Sequence, residues 1–202
     1  AEVYYMNNRF DKASEAYARF IHSSETTEDD LVKYAFALFL NHDFEKSLEV
    51  ANLVLKRNAR HAAFNRLAMY NYTDMTRYDD EKKAADTFFN AADKADYSYL
   101  DYMYYGHLLN ALKKYDEAVI QYQKAIELDT SKTELWREIS NAYEQKNDYT
   151  DAIAAYQKYY EALPADEQTA DLQFQIGKLY YGKGTQSDTL TVSLDERKAA
   201  LV

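Results

Sequence analysis

Apolar residues recur along this chain at the spacing of one helix face, and they do so twice in every 34 residues. Tyr102, Tyr105, Gly106 and Leu109 fall at i, i+3, i+4 and i+7, as do Trp136, Ile139, Ser140 and Tyr143. That is the stripe an amphipathic α-helix buries. A second stripe follows each of them: Tyr115, Ala118, Tyr122 and Ala125 after the first, and Tyr149, Ala152, Tyr156 and Tyr159 after the next. The same frame occurs earlier at Phe10-Asp11-Lys12-Ala13 with Tyr17, and 34 residues later at Phe44-Glu45-Lys46-Ser47. Short polar joints such as Gln145-Lys146-Asn147-Asp148 separate the two stripes. Each period therefore predicts two helices of about 12 to 14 residues folded as an antiparallel hairpin. A lone hairpin of that size is marginal, and stacking on its neighbours is what buries it.

Extended over the chain, the pattern predicts one all-α solenoid of helix hairpins spanning 1–202. It divides into a partial repeat at 1–27, repeats at 28–60, 61–98, 99–132 and 133–169, and a partial repeat at 170–202. Ala13 and Ala118 lie three residues further apart than three periods, so the third repeat carries an insertion, expected in the turn around Thr76-Arg77-Tyr78-Asp79-Asp80-Glu81. Its second helix can be framed on Ala84, Phe88 and Ala91, or on the same set one residue later. After Pro164 a short linker leads to Ile176, Gly177 and Tyr180, which restart the first-helix stripe. The run Gly182-Lys183-Gly184-Thr185-Gln186-Ser187-Asp188-Thr189 then predicts a polar loop over 182–194 before a further helix. The frame opens and closes within hairpins, which leads to the expectation of a fragment of a longer protein.

Composition narrows this without redirecting it. Four glycines and one proline supply too little turn chemistry for a many-stranded β fold. No run of about 18 apolar residues is present, so no membrane insertion is expected. The net charge of -10 comes with no segregated basic patch, which argues against nucleic acid as a partner. The absence of cysteine removes disulfides and thiolate metal sites.

The repeated positions resemble the tetratricopeptide repeat family, with W-x2-L-G-x2-Y in the first helix, Y-x2-A-x3-Y-x2-A through the second and a proline at the close. Residues 133–166 carry Trp136, Ile139, Ser140, Tyr143, Tyr149, Ala152, Tyr156, Tyr159 and Pro164 at those positions. The resemblance implies a right-handed superhelix whose first helices line a concave groove for a protein or peptide segment. Carried over residue by residue, that groove presents Val32, Phe36, Phe39 and Leu40; then Met69 and Tyr72; then Met103, His107 and Asn110; then Arg137, Asn141, Glu144 and Gln145; then Phe174, Lys178 and Tyr181. Arg137 and Asn141 resemble half of the family's carboxylate clamp, from which Gln175 departs. Phe36, Phe39 and Leu40 are either an exposed apolar patch or covered by the preceding repeat.

The candidate chemistries have simpler readings. Gly177-Lys178-Leu179-Tyr180-Tyr181-Gly182-Lys183-Gly184-Thr185 nearly fits a phosphate loop, but Gly184 stands where the magnesium-binding hydroxyl belongs and no strand precedes it. His22, His42, His61 and His107 lie in different repeats without metal-ligand spacing. The acidic runs Asp29-Asp30 and Asp79-Asp80-Glu81 fall at predicted turns or helix starts, where carboxylates favour the helix dipole, and read as solvation and capping. The tyrosine ladder falls on packing faces and reads as core. No nucleophile arrangement is present, so no catalysis and no cofactor are expected. The leading expectation is a protein-interaction scaffold. The alternatives are an accessory repeat region of a larger enzyme or regulator, and self-association through apolar ends.

Overall fold

The computed structural model describes residues 1–189, and all regular structure among them is helical. Two compact units form, one from Ala1 to Tyr97 and one from Ser98 onward. The first contains α1 (Glu2–Met6), α2 (Phe10–Phe20), α3 (Glu28–Leu40), α4 (Phe44–Leu55), α5 (Ala62–Asp74), α6 (Tyr78–Ala91) and a single 3₁₀ turn at Lys94–Asp96. The second contains α7 (Tyr99–Ala111), α8 (Tyr115–Leu128), α9 (Leu135–Gln145), α10 (Tyr149–Ala162) and α11 (Ala170–Thr189). Within each unit, helices pack on their neighbours in chain order.

One turn is used five times. Asn8, His42, Thr76, Lys113 and Asn147 adopt left-handed backbone conformations with φ of 55, 60, 56, 60 and 63°. The amide of the following residue reaches back over the end of the first helix: Arg9 to Tyr4 O (2.9 Å), Asp43 to Leu38 O (2.9 Å), Arg77 to Tyr72 O (2.8 Å), Lys114 to Leu109 O (2.8 Å) and Asp148 to Tyr143 O (2.8 Å). This is the Schellman closure, which satisfies carbonyls that the helix end leaves without partners. The chain then enters the second helix directly, which makes each hairpin tight and antiparallel.

Two of the expected irregularities lie elsewhere. The turn at Thr76 is the ordinary three-residue closure, so the extra three residues of the third repeat are not there. They lengthen the connection after α6, where Tyr97 Oη donates to Phe89 O (2.9 Å) and its ring packs on Phe88 and Phe89. Arg66 Nη2 also donates to Asp96 O (2.6 Å) there. Second, α11 runs through Gly182 to Thr189, where a polar loop was expected. No glycine has a positive φ, so none of them caps a helix. A Cβ at Gly182 would collide with the Tyr149 ring, so this glycine serves close packing of α11 on α10. Residues 190–194 of that expected loop, and the helix expected after it, lie outside the described residues.

With the turn located, the helix crossings align. Ala35 faces Ser47 across α3/α4, Gly106 faces Ala118 across α7/α8, and Ser140 faces Ala152 across α9/α10, all buried. Ser47 Oγ donates to Ala35 O (2.8 Å), and Ser140 Oγ donates to Ala152 O (2.8 Å), so the same crossing is hydrogen-bonded in opposite directions. Gly106 is required because an added Cβ would lie 2.5 Å from the Tyr122 ring. The third hairpin departs: Met69 and Glu81 occupy the two small-residue positions, both fully buried. The second helix there is framed by Glu81, Ala85 and Phe88, so neither set built on Ala84 or its successor holds.

Candidate functional site: the inward faces of the first helices

In the first unit, the inward positions are occupied by the protein itself. Phe36 and Phe39 are half-buried on α3 against the core, with the Phe39 ring between Phe44 (5.8 Å) and Tyr70 (5.9 Å). Val32 packs there too, and of this set only Leu40 is exposed. Met69, expected in the groove, is instead sealed in the α5/α6 crossing. The reason is register: the third hairpin is framed one residue later than expected, which puts Tyr70 and Thr73 at the positions expected for Met69 and Tyr72, and Tyr70 is itself buried. Tyr72 is half-buried beneath the Arg77 guanidinium (4.9 Å), and burial raises its hydroxyl pKa.

The second unit offers more polar surface. Met103, His107 and Asn110 share one half-buried face of α7, where the His107 ring contacts Tyr104 (6.1 Å) and Tyr122 (5.6 Å). On α9, Arg137 is exposed, Asn141 and Glu144 are half-buried, and Gln145 is exposed. Arg137, Asn141 and Glu144 share a helix face at i, i+4 and i+7. The Arg137 guanidinium lies over the Tyr159 ring (5.6 Å), with Nη2 3.7 Å from Glu138 Oε1.

Three helices converge on one small recess. Asn141 and Glu144 of α9, Tyr156 of α10, and Gln175, Lys178 and Leu179 of α11 enclose about 40 Å³. That volume accommodates a methyl-sized group or one water. Lys178 Nζ donates to Gln175 Oε1 (3.1 Å), which holds both side chains at its rim. Tyr156 forms part of the lining; burial raises its hydroxyl pKa, Tyr159 adds to the rise, and the Arg137 charge partly offsets it. Phe174 and Tyr181 stand 67% and 71% exposed on the same face of α11 as Lys178. The strip thus mixes cations, a carboxylate, amides and exposed rings.

Of the expected groove residues, the fold gathers Asn141, Glu144 and Lys178 around this recess and leaves Met103, His107 and Asn110 outside its lining. Tyr156 and Leu179 were missed. Tyr156 satisfies the core pattern, and only the arrival of α11 turns its edge into a wall of the recess. No described helix is long and apolar enough to cross a membrane.

A tetratricopeptide-repeat family profile matches residues 102–132 and 133–166, the α7/α8 and α9/α10 hairpins. Residues 102–166 carry two tetratricopeptide repeats. Solved structures support the fold of the rest. YrrB, described as a TPR protein with an unusual peptide-binding site, shares 18% identity at a TM-score of 0.68, covering 93% of this chain and 91% of that one. MamA from Desulfovibrio magneticus RS-1 gives 16% identity and 0.67, covering 80% and 89%. The C-terminal part of a TPR repeat-containing protein from Cytophaga hutchinsonii gives 22% and 0.65, covering 78% of this chain; the chain spans 61% of that structure's length. No curated protein matches the sequence. The TPR solenoid fold is typical of protein-interaction scaffolds.

Proposed function

We propose that this TPR chain binds an extended segment of a partner protein along α9 and α11 of its second unit. The observation that carries this reading is the recess between Asn141, Glu144, Tyr156, Gln175, Lys178 and Leu179, bordered by exposed Arg137 and Phe174. Amides and ions at the rim suit the polar backbone of an extended peptide, and an apolar floor suits one small side chain. Exposed aromatic rings beside it supply contact area. The similarity to YrrB, whose title describes a peptide-binding site, is in keeping with this use. In the first unit the corresponding faces are filled by Phe36, Phe39 and Tyr70, which favours the second unit as the binding element.

Photo-crosslinking in native extract tests this, with the reactive residue at Lys178 or at exposed Glu161 of α10. A discrete partner captured only from Lys178, and weakened about tenfold by Arg137→Ala plus Asn141→Ala, is the expected result. Equal capture from both positions overturns the assignment.

A further inference from the structure

The third hairpin holds a carboxyl group where the others hold alanine or serine. Glu81 occupies the position of Ala13, Ser47, Ala118 and Ala152, at 0% exposure, and neither of its oxygens has a hydrogen-bond partner. Across from it stands Met69, equally buried, in place of Ala35, Gly106 or Ser140. Two large side chains therefore fill a crossing that is otherwise built from small ones, and one of them can ionise.

We propose that Glu81 is a proton-operated latch of the α5/α6 hairpin, which closes fully when the carboxyl is neutral and loosens when it ionises. Thr73 on α5 lies alongside, but its hydroxyl proton is donated to Met69 O (2.9 Å). It can offer a carboxylate a hydrogen bond only by giving up the one to Met69 O, which limits how far it can stabilise the ionised form. Asp74, also on α5, adds a charge of the same sign. On α6 and its cap, Arg77 is paired with Asp80 (2.6 Å) and Lys82 with Asp86 (2.6 Å), while Lys83 stands exposed on the outer surface. From the other side, α4 and α3 pack on α5; their buried residues are Ser47, Leu48, Val50, Ala51 and Val54, and Tyr34, Ala35, Ala37 and Leu38, none of them charged. Ionised Glu81 would be a buried charge with no counter-ion in its crossing.

Burial pushes the Glu81 carboxyl up to about 7 from its ordinary 4.5; the Thr73 hydroxyl offsets part of this and Asp74 adds to it. Between those two values the folded chain holds a proton that the unfolded chain has released. The contribution to stability is complete below about pH 4.5 and declines as pH rises through about 7.

Unfolding equilibria and amide-exchange protection factors at pH 5 and pH 8, for the wild type, Glu81→Gln and Glu81→Ala, test the latch. The wild type should lose on the order of 100-fold in folding equilibrium relative to Glu81→Gln across that interval, with the lost protection concentrated in α5 and α6. Parallel pH profiles for wild type and Glu81→Gln overturn it. Should the variants fail to fold, carboxyl-carbon NMR of the wild type decides: titration of Glu81 near 7 supports the latch, and titration near 4.5 overturns it.

Discussion

Hairpins α5/α6 and α9/α10 enter their second helices through the same left-handed residue and the same amide-to-carbonyl closure, yet their crossings differ. In α9/α10, Ser140 and Ala152 let the two backbones approach until Ser140 Oγ bonds Ala152 O at 2.8 Å. In α5/α6, Met69 and Glu81 fill the corresponding space with side chains. The hairpin is thus specified by its turn and its outer stripe, and the crossing can be built from either backbone contact or side-chain packing. The two constructions respond differently to substitution.

The sharpest contrast comes from trimming each crossing. Met69→Ala at pH 5 should destabilise the chain by about 3 kcal/mol, because a fully buried methionine leaves a cavity the rigid turn keeps open. Ser140→Ala should cost only about 1 kcal/mol, the net worth of one buried hydrogen bond, since alanine already serves this position in α3/α4. Denaturant titrations of both variants measure the difference. Equal losses would mean that the two crossings are energetically alike after all.

A second contrast uses glycines at equivalent places in two first helices. Gly106→Ala drives a methyl to 2.5 Å from the buried Tyr122 ring and should cost about 2 kcal/mol through overpacking. Gly177→Ala adds a methyl that meets nothing within 4 Å and should stabilise α11 by about 1 kcal/mol through helix propensity. Thermal unfolding monitored by circular dichroism reads both. A loss at Gly177 would show that its side of α11 is closed by something the described residues do not include.

How far the chain could be read in advance follows from what each feature depends on. The hairpins were legible because helix stripes and a 34-residue period are properties of the sequence itself. The placement of the insertion was not. Asp79-Asp80-Glu81 looks like turn chemistry, whereas two of these residues supply the acidic first turn of α6 and Glu81 its buried crossing. The three extra residues sit after α6 under Tyr97, a tertiary contact that no local pattern announces. Gly182 and Gly184 likewise read as loop-formers until Tyr149 shows why a side chain is missing at Gly182. The groove residues expected on α7, α9 and α11 do fall within those helices. Met69 failed because one residue of register rotates a helix position by about 100°, enough to carry it from the surface into the crossing.

The smallest expected effect tests the feature the two hairpins share. Thr76 and Asn147 hold the same left-handed backbone, at φ of 56 and 63°. A β-branched side chain there crowds its own carbonyl, whereas asparagine tolerates the conformation. Thr76→Gly should therefore stabilise the first unit by about 1 kcal/mol, and Asn147→Gly should change the second by only a few tenths. Part of the gain is returned, because glycine also raises the entropy of the unfolded chain, so the difference between the two substitutions is the informative quantity. Chemical denaturation of the paired variants measures it. A larger gain at Asn147 than at Thr76 would place the strain of the closure in the amide side chain and not in the branched one.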